Sequence, residues 1–317
     1  MRVALHASVA TMRTVTRTRL MLFGLLVALA ARDEGATAQL LPPRTVITGA
    51  VFIHVVRAGD TLTALGARFG VSDATLARLN QLGATTALAP GLPLVVDTRH
   101  IAELAPGRRL AINIAQRMLY WVEEDRVVGY PVAVGRRTSP TPVGAFIVTD
   151  KEEQPTWDVP LSIQEEMRRQ GRTVITRMAP SPENPLGAYW MRLSLPAIGI
   201  HGTPEPASVH HYASHGCIRM QPADIAALFP KVTLGDTGVI AYRPTLLAAI
   251  DGRVYLEVHA DEYRRLPPAL DGVRAEARAL GLSSRVDWTL AARVVRERRG
   301  TVVDVTLTGH AASNGSR

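Results

Sequence analysis

Residues 199–220 read GIHGTPEPASVHHYASHGCIRM and carry His201, His210, His211 and His215 ahead of Cys217, the only cysteine in the 317-residue chain. A thiol acts as a nucleophile when it has an adjacent base, donors for a developing oxyanion and partial exposure. His201 ends the strand-like GIH and can face Cys217 across a pair of neighbouring strands. Gly216 lets backbone pass close to a substrate, and the Cys217 amide can point at an oxyanion. The following PADIAALF, Pro222 to Phe229, reads as a helix with proline in its first turn and Asp224 near its N-terminus. That helix starts too far past the thiol to lower its pKa strongly, so the histidines must do more of it. Zinc competes for the same residue types, but HGC places two ligands at i, i+2 with no CxxC or HExxH partner. An inert buried thiol is the third reading. His210 and His211 read as solvated loop residues, and Tyr189 and Trp190 as either groove or core.

The N-terminus bears on the thiol. Arg2, Arg13, Arg17 and Arg19 precede the apolar run Leu20 to Ala31, and no acid appears before Asp33. That run is too short for the ~20 residues of a membrane span, and Ala36-Thr37-Ala38 fits a small-x-small cleavage site. Residues 1–38 therefore read as a cleavable secretory signal, with an uncleaved anchor as the alternative. Outside the cytosol cysteines generally pair, so a lone one is an inert thiol, an intermolecular bridge or a reactive group. Five arginines and two acids leave with the signal, taking the formal charge from +8 to +5. A basic chain favours an anionic surface such as cell wall or lipid headgroups. No basic patch interleaved with aromatics points to nucleic acid.

Outward from the motif, residues 39–51 read as a linker. Residues 52–97 follow the pattern β-α-α-β, with helices at Thr61 to Phe69 and Asp73 to Asn80, Ser72 as an N-cap, Gly70 as a stop and a Pro90-Gly91 turn. Asp60 reads as a capping residue for the first helix. Residues 108–244 read as successive strands, interrupted by a helix or loop insertion over 164–174 and the Pro-rich SPENPLG. Residues 245–317 have another texture, two strands around a charged helical stretch, and read as an accessory region. The expected fold class is mainly β with α: a mixed sheet or sandwich with one helix after the cysteine, plus a small βααβ module.

Two resemblances follow from these residues. V-x-x-GDTL, the mid-module FGV, Asn80 and the closing PG-x-x-L-V-V resemble the LysM module, which implies binding of N-acetylglucosamine-containing glycan. Its groove positions fall on Gly59, Asp60, Thr61, Leu62 and Asn80. IHGT followed by SHGCIRM, thirteen residues from His201 to Ser214, resembles the YkuD-type L,D-transpeptidase signature in its ErfK-like branch. LAINIAQRMLYWV, TPVGAF, PTW and NPLG agree with the same family. That resemblance implies a thioester mechanism on peptidoglycan. Cys217 attacks the meso-diaminopimelyl carbonyl of a stem tetrapeptide, D-alanine leaves, and an amine accepts the acyl group. His201 is then the base, the Gly202 carbonyl its orienting partner, and His215, Gly216 and Arg219 shape the substrate and oxyanion pocket. Ser214 bonds within the loop and Tyr189 lines the groove. Carbapenem sensitivity is implied too. No metal or cofactor is expected. The acceptor stays open between a 3-3 crosslink, an outer-membrane lipoprotein lysine, a D-amino acid and water, and a hydrolase or a non-catalytic wall-binding protein are the competing functions. A periplasmic, cell-wall-associated location follows from the signal reading.

Overall fold

In the computed structural model, residues 43–124, 126–266 and 269–307 are described. The secretory-signal reading of residues 1–38 lies outside them.

Short, well-capped pieces build the N-terminal module: β1 (Arg44–Thr48), β2 (Val51–Val55), α1 (Leu62–Phe69), α2 (Asp73–Leu79), β3 (Pro93–Asp97) and β4 (His100–Leu104). Thr61 rather than Asp60 is the N-cap of α1, its Oγ1 accepting from the Ala64 amide at 3.1 Å. Asp60 instead accepts from the Arg57 amide and sits 2.8 Å from His54 Nε2, which pins the loop before the helix. Gly70 ends α1 at φ 71, a left-handed conformation that costs glycine little. The helices bury Leu65, Leu76 and Val71 against Leu94 and Val96 of the β2–β3 ribbon. The expected linker is partly structured: β1 pairs antiparallel with β4 along its whole length. RTVIT is rich in β-branched residues and meets an edge otherwise unpaired, which favours a strand over a tether.

The central domain contains β5 (Leu110–Asn113), β6 (Met118–Glu123), β7 (Arg126–Gly135), β8 (Gly144–Glu153), β9 (Trp157–Asp158), α3 (Leu161–Arg169), β10 (Arg177–Met178), β11 (Tyr189–Leu193), β12 (Gly199–His201), β13 (Tyr212–Ser214), β14 (Ile218–Met220), α4 (Pro222–Leu228) and β15 (Thr237–Ala241). Nine strands run in the order β13-β7-β14-β12-β11-β8-β15-β5-β6, and β6 pairs again with β7, so the mixed sheet closes on itself. Trp121, Phe146, Met191, Ile200 and Ile218 fill its interior. Gly238 of β15 admits Phe146, whose Cζ stands 2.3 Å from where a Cβ would be. The rim insertion holds α3, which starts earlier than expected and ends at Arg169. Buried Asn184 ties NPLG to the rim, donating to Pro155 O and accepting from the Leu186 amide.

The C-terminal region holds β16 (Thr245–Ile250), β17 (Arg253–Val258), α5 (Leu270–Ala279), α6 (Trp288–Glu297) and β18 (Val303–Asp304). The two helices pack on the three-stranded sheet through Val273, Ala277, Ala291 and Val294. Beneath it, buried Glu257 accepts from the Ile101 amide and Gln116 Nε2 on one oxygen, while His100 and His259 each lie 2.7 Å from the other. His100 also reaches Gly70 O of the first module at 3.0 Å. Among the described residues no helix is long and apolar enough to cross a membrane.

Candidate active site

β12 and β14 run side by side in parallel, Ile200 opposite Ile218 and His201 opposite Arg219. Cys217, one step before Ile218, is therefore level with Gly199, and the thiol and imidazole project from adjacent strands about 4.8 Å apart. Cys217 Sγ lies 3.6 Å from Ala197 O and also has a hydrogen bond with the Gly199 backbone. His201 is buried, and its Nδ1 lies 2.6 Å from Gly202 O. With Nδ1–H donating to that carbonyl, Nε2 is left as the acceptor.

Burial sets the protonation of both groups. It pushes the Cys217 thiol up, the Gly199 hydrogen bond and the Arg219 charge only partly opposing it. It pulls His201 down to about 4, with the Arg219 charge adding to the effect. The resting state is thus a neutral thiol beside a neutral imidazole, and the histidines do not lower the thiol pKa as the sequence reading required.

The loop between β13 and β14 is held from several sides. Ser214 Oγ donates to Cys217 O at 2.5 Å and accepts from the Gly216 amide. Gly216 sits at φ 115, where a side chain would be strained, and its carbonyl accepts from Thr141 Oγ1 at 2.8 Å. Thr141 opens the TPVGAF segment. Its amide donates to Tyr263 Oη, which in turn donates to Gly135 O, so the C-terminal region buttresses the loop. That contact had no sequence signal.

His215 turns toward the rim. Its Nε2 lies 2.8 Å from Glu166 of α3 and 2.5 Å from Arg136 Nη2, and Arg136 pairs with the same carboxylate at 2.6 Å. Hydrogen bonds from His215 and Arg136 hold Glu166 down to about 2. A cleft of about 420 Å³ opens here, lined by Arg136, Ser139, Glu166, Arg169 and His215. Glu166 and Arg136 escaped sequence reasoning. The acid beside a histidine of the motif comes from the insertion, about fifty residues upstream. Arg219 has a buried Nε with no acceptor. Tyr189 packs on Phe229 with ring centroids 4.7 Å apart, and Trp190 lies 5.7 Å from the His201 ring. Trp190 covers Gly199, where a Cβ would come within 2.3 Å of the indole. His210 is buried rather than solvated.

In the N-terminal module two groove candidates are committed elsewhere. Leu62 is buried in the core, and Asn80 bonds Leu76 O, Val95 O and the Val95 amide, tying α2 to β3. Thr61 caps α1 and Asp60 pins its loop, while Gly59 is exposed at φ 87. Among the described residues His100, Glu257 and His259 bring three metal-ligating atoms within 4.8 Å of one another. All three atoms are already used in the hydrogen bonds given above.

These features define a two-module protein: a small βααβ unit ahead of a closed mixed sheet that displays a cysteine and a histidine on adjacent parallel strands. The YkuD family, described as the L,D-transpeptidase catalytic domain, matches residues 107–240, and the LysM domain matches residues 54–97. The chain is 31% identical over 189 residues to the YkuD protein of Bacillus subtilis (strain 168), covering 57% of this chain and 94% of that one. It is 28% identical over 300 residues to YcfS of Escherichia coli (strain K12), covering 89% and 92% of the two chains. ErfK/SrfK of the same strain is 26% identical over 311 residues, covering 93% and 96%. All three carry L,D-transpeptidase in their names. The chain belongs to the YkuD L,D-transpeptidase family and carries a LysM domain.

Proposed function

We propose that the protein is a peptidoglycan L,D-transpeptidase with Cys217 as nucleophile and His201 as base. The observation that carries this reading is the pairing of β12 with β14, which sets His201, its Nδ1 on Gly202 O, on the strand beside the one entered from Cys217. In acylation the Sγ proton passes to His201 Nε2 as sulfur attacks the meso-diaminopimelyl carbonyl of a stem tetrapeptide. The tetrahedral intermediate collapses, the C–N bond to D-alanine breaks, and His201 returns the proton to the leaving amine. An acceptor amine then attacks the thioester, gives up a proton through His201 and leaves with the acyl group. The Cys217 backbone amide serves the oxyanion, while the Gly216 amide is held by Ser214 Oγ. The unpartnered Arg219 N–H suits a substrate carboxylate, His215 shapes the pocket, Ser214 holds the loop, and Tyr189 stands at the groove.

The acceptor is a second diaminopimelate in a 3-3 crosslink, a lysine of an outer-membrane lipoprotein, or a D-amino acid. Water in its place makes the same scaffold a hydrolase. Export by the signal puts the enzyme in the periplasm at the cell wall, with a role in wall organisation and cell shape. The LysM domain holds it on N-acetylglucosamine glycan through the Gly59–Leu62 stretch, where Gly59 and Thr61 are exposed.

Intact-mass spectrometry with a purified disaccharide-tetrapeptide tests the reading. A tripeptide-sized adduct on the wild type and none on Cys217→Ala, with D-alanine released, is the expected result. Glycan binding with neither adduct nor turnover would sink it and leave a wall-binding protein.

A further inference from the structure

A cleft of about 190 Å³ separates the α1–α2 loop from the segment leading into the SHGC loop, lined among others by Ser72, Asp73, Arg117, His210, His211 and Tyr212. Its central-domain wall is strained and electrostatically incomplete. Arg117 and His210 both adopt left-handed backbone, at φ 58 and 63, although neither is glycine. The Arg117 guanidinium donates to Ala115 O at 3.3 Å and to His210 Nε2 at 3.2 Å and lies over the Tyr212 ring. Among the described residues no carboxylate pairs with it.

Arginine only donates, so His210 Nε2 accepts and the imidazole proton sits on Nδ1. Burial and the Arg117 charge keep that ring neutral. Arg117 Nε–H is buried without an acceptor, and His210 Nδ1–H, beside the Arg117 backbone, has none at full hydrogen-bond geometry. Native proteins seldom leave such donors unpaired, and two on adjoining side chains beside an uncompensated cation suit a negatively charged oxygen. Across the cleft stands Asp73, which disfavours a dianion and favours an ammonium group. The volume is about six times the ~30 Å³ share of a liquid water molecule.

We infer that this cleft binds a free α-amino acid, its carboxylate on the Arg117–His210 wall and its ammonium toward Asp73. The site stands on the module junction alone and does not depend on the reaction proposed above. Tyr212 begins β13, which runs directly into His215 and Cys217, so occupancy bears on the strand that carries the motif loop.

Calorimetric titration of the full chain carrying Cys217→Ala tests the site with catalysis silenced. D-Alanine and L-alanine serve as probes, with acetate and inorganic phosphate as the single-charge and dianion arms. Saturable one-to-one alanine binding is expected, weakened about tenfold or more in Asp73→Asn and in Arg117→Gln, with acetate weaker by a similar factor. Asp73→Asn keeps a polar acceptor at the first turn of α2, so it carries the test if Arg117→Gln does not fold. No alanine binding up to about 50 mM, or binding indifferent to Asp73→Asn, overturns the inference. So does acetate or phosphate binding as tightly as alanine.

Discussion

The Cys217–His201 pair is neutral at rest, and this fixes how activity should follow pH. Burial lowers His201 to about 4, so as the proposed base it turns off only as pH falls through that value. The acid limb of kcat/KM should accordingly inflect near 4, with no break at the usual histidine value of about 6.5. A break there would mean that an imidazolium–thiolate pair carries the reaction. Glu166 makes a second prediction at this scale. Glu166→Gln removes the charge that holds His215 and Arg136, and turnover should fall about tenfold while the melting temperature barely moves, since the carboxylate lies on the rim. Steady-state kinetics beside a thermal melt separates the two effects. The sequence exposed Cys217, His201 and the Gly202 carbonyl because they sit within one short motif whose chemistry constrains residue type and spacing. It concealed Glu166 and Arg136, which reach His215 from α3 and the end of β7, because no local pattern encodes a contact made by the closure of a sheet.

Short strands decide the site at the element scale. β12 is three residues long, and its Gly199 exists to let Trp190 lie across it. Gly199→Ala should overpack that contact, cost about 1–3 kcal/mol in chemical denaturation and push the indole against His201, lowering activity as well. Tyr263→Phe removes one hydroxyl that serves two backbone groups, Gly135 O and the Thr141 amide. Leaving both buried groups unpaired should cost about 1–3 kcal/mol, and activity should drop because Thr141 supports Gly216. Strands bounded by proline and glycine were readable from alternation and turn residues, as were the two capped helices of the LysM domain. β1 was read as linker because its partner β4 lies more than fifty residues away, and edge pairing at that range leaves no periodic trace. β16 and α6 likewise take their identity from the sheet and helices they pack against.

At the scale of the whole molecule the three parts share one buried polar node. Burial alone would raise Glu257, but the His100 charge and the hydrogen bonds from His100 and His259 outweigh it and hold the carboxyl near 2. A carboxyl lowered in the folded state stabilises above its unfolded pKa of about 4.5, and that stability disappears as pH falls toward 2. Burial alone would lower His100, yet Glu257 raises it, so its contribution is complete below about 6.5 and fades as pH climbs past its folded value. Glu257→Gln should cost about 3 kcal/mol near neutrality and flatten the acid side of the stability profile, as followed by urea unfolding across pH. The same node and the β1–β4 ribbon, with only Thr98 and Arg99 between β3 and β4 and residues 105–109 between β4 and β5, pin the LysM domain to the catalytic sheet. Under the proposed function this makes the molecule a caliper. A glycan gripped this way offers Cys217 only those stems that lie at one set distance and direction from the bound sugars, and stems elsewhere on the strand stay out of reach.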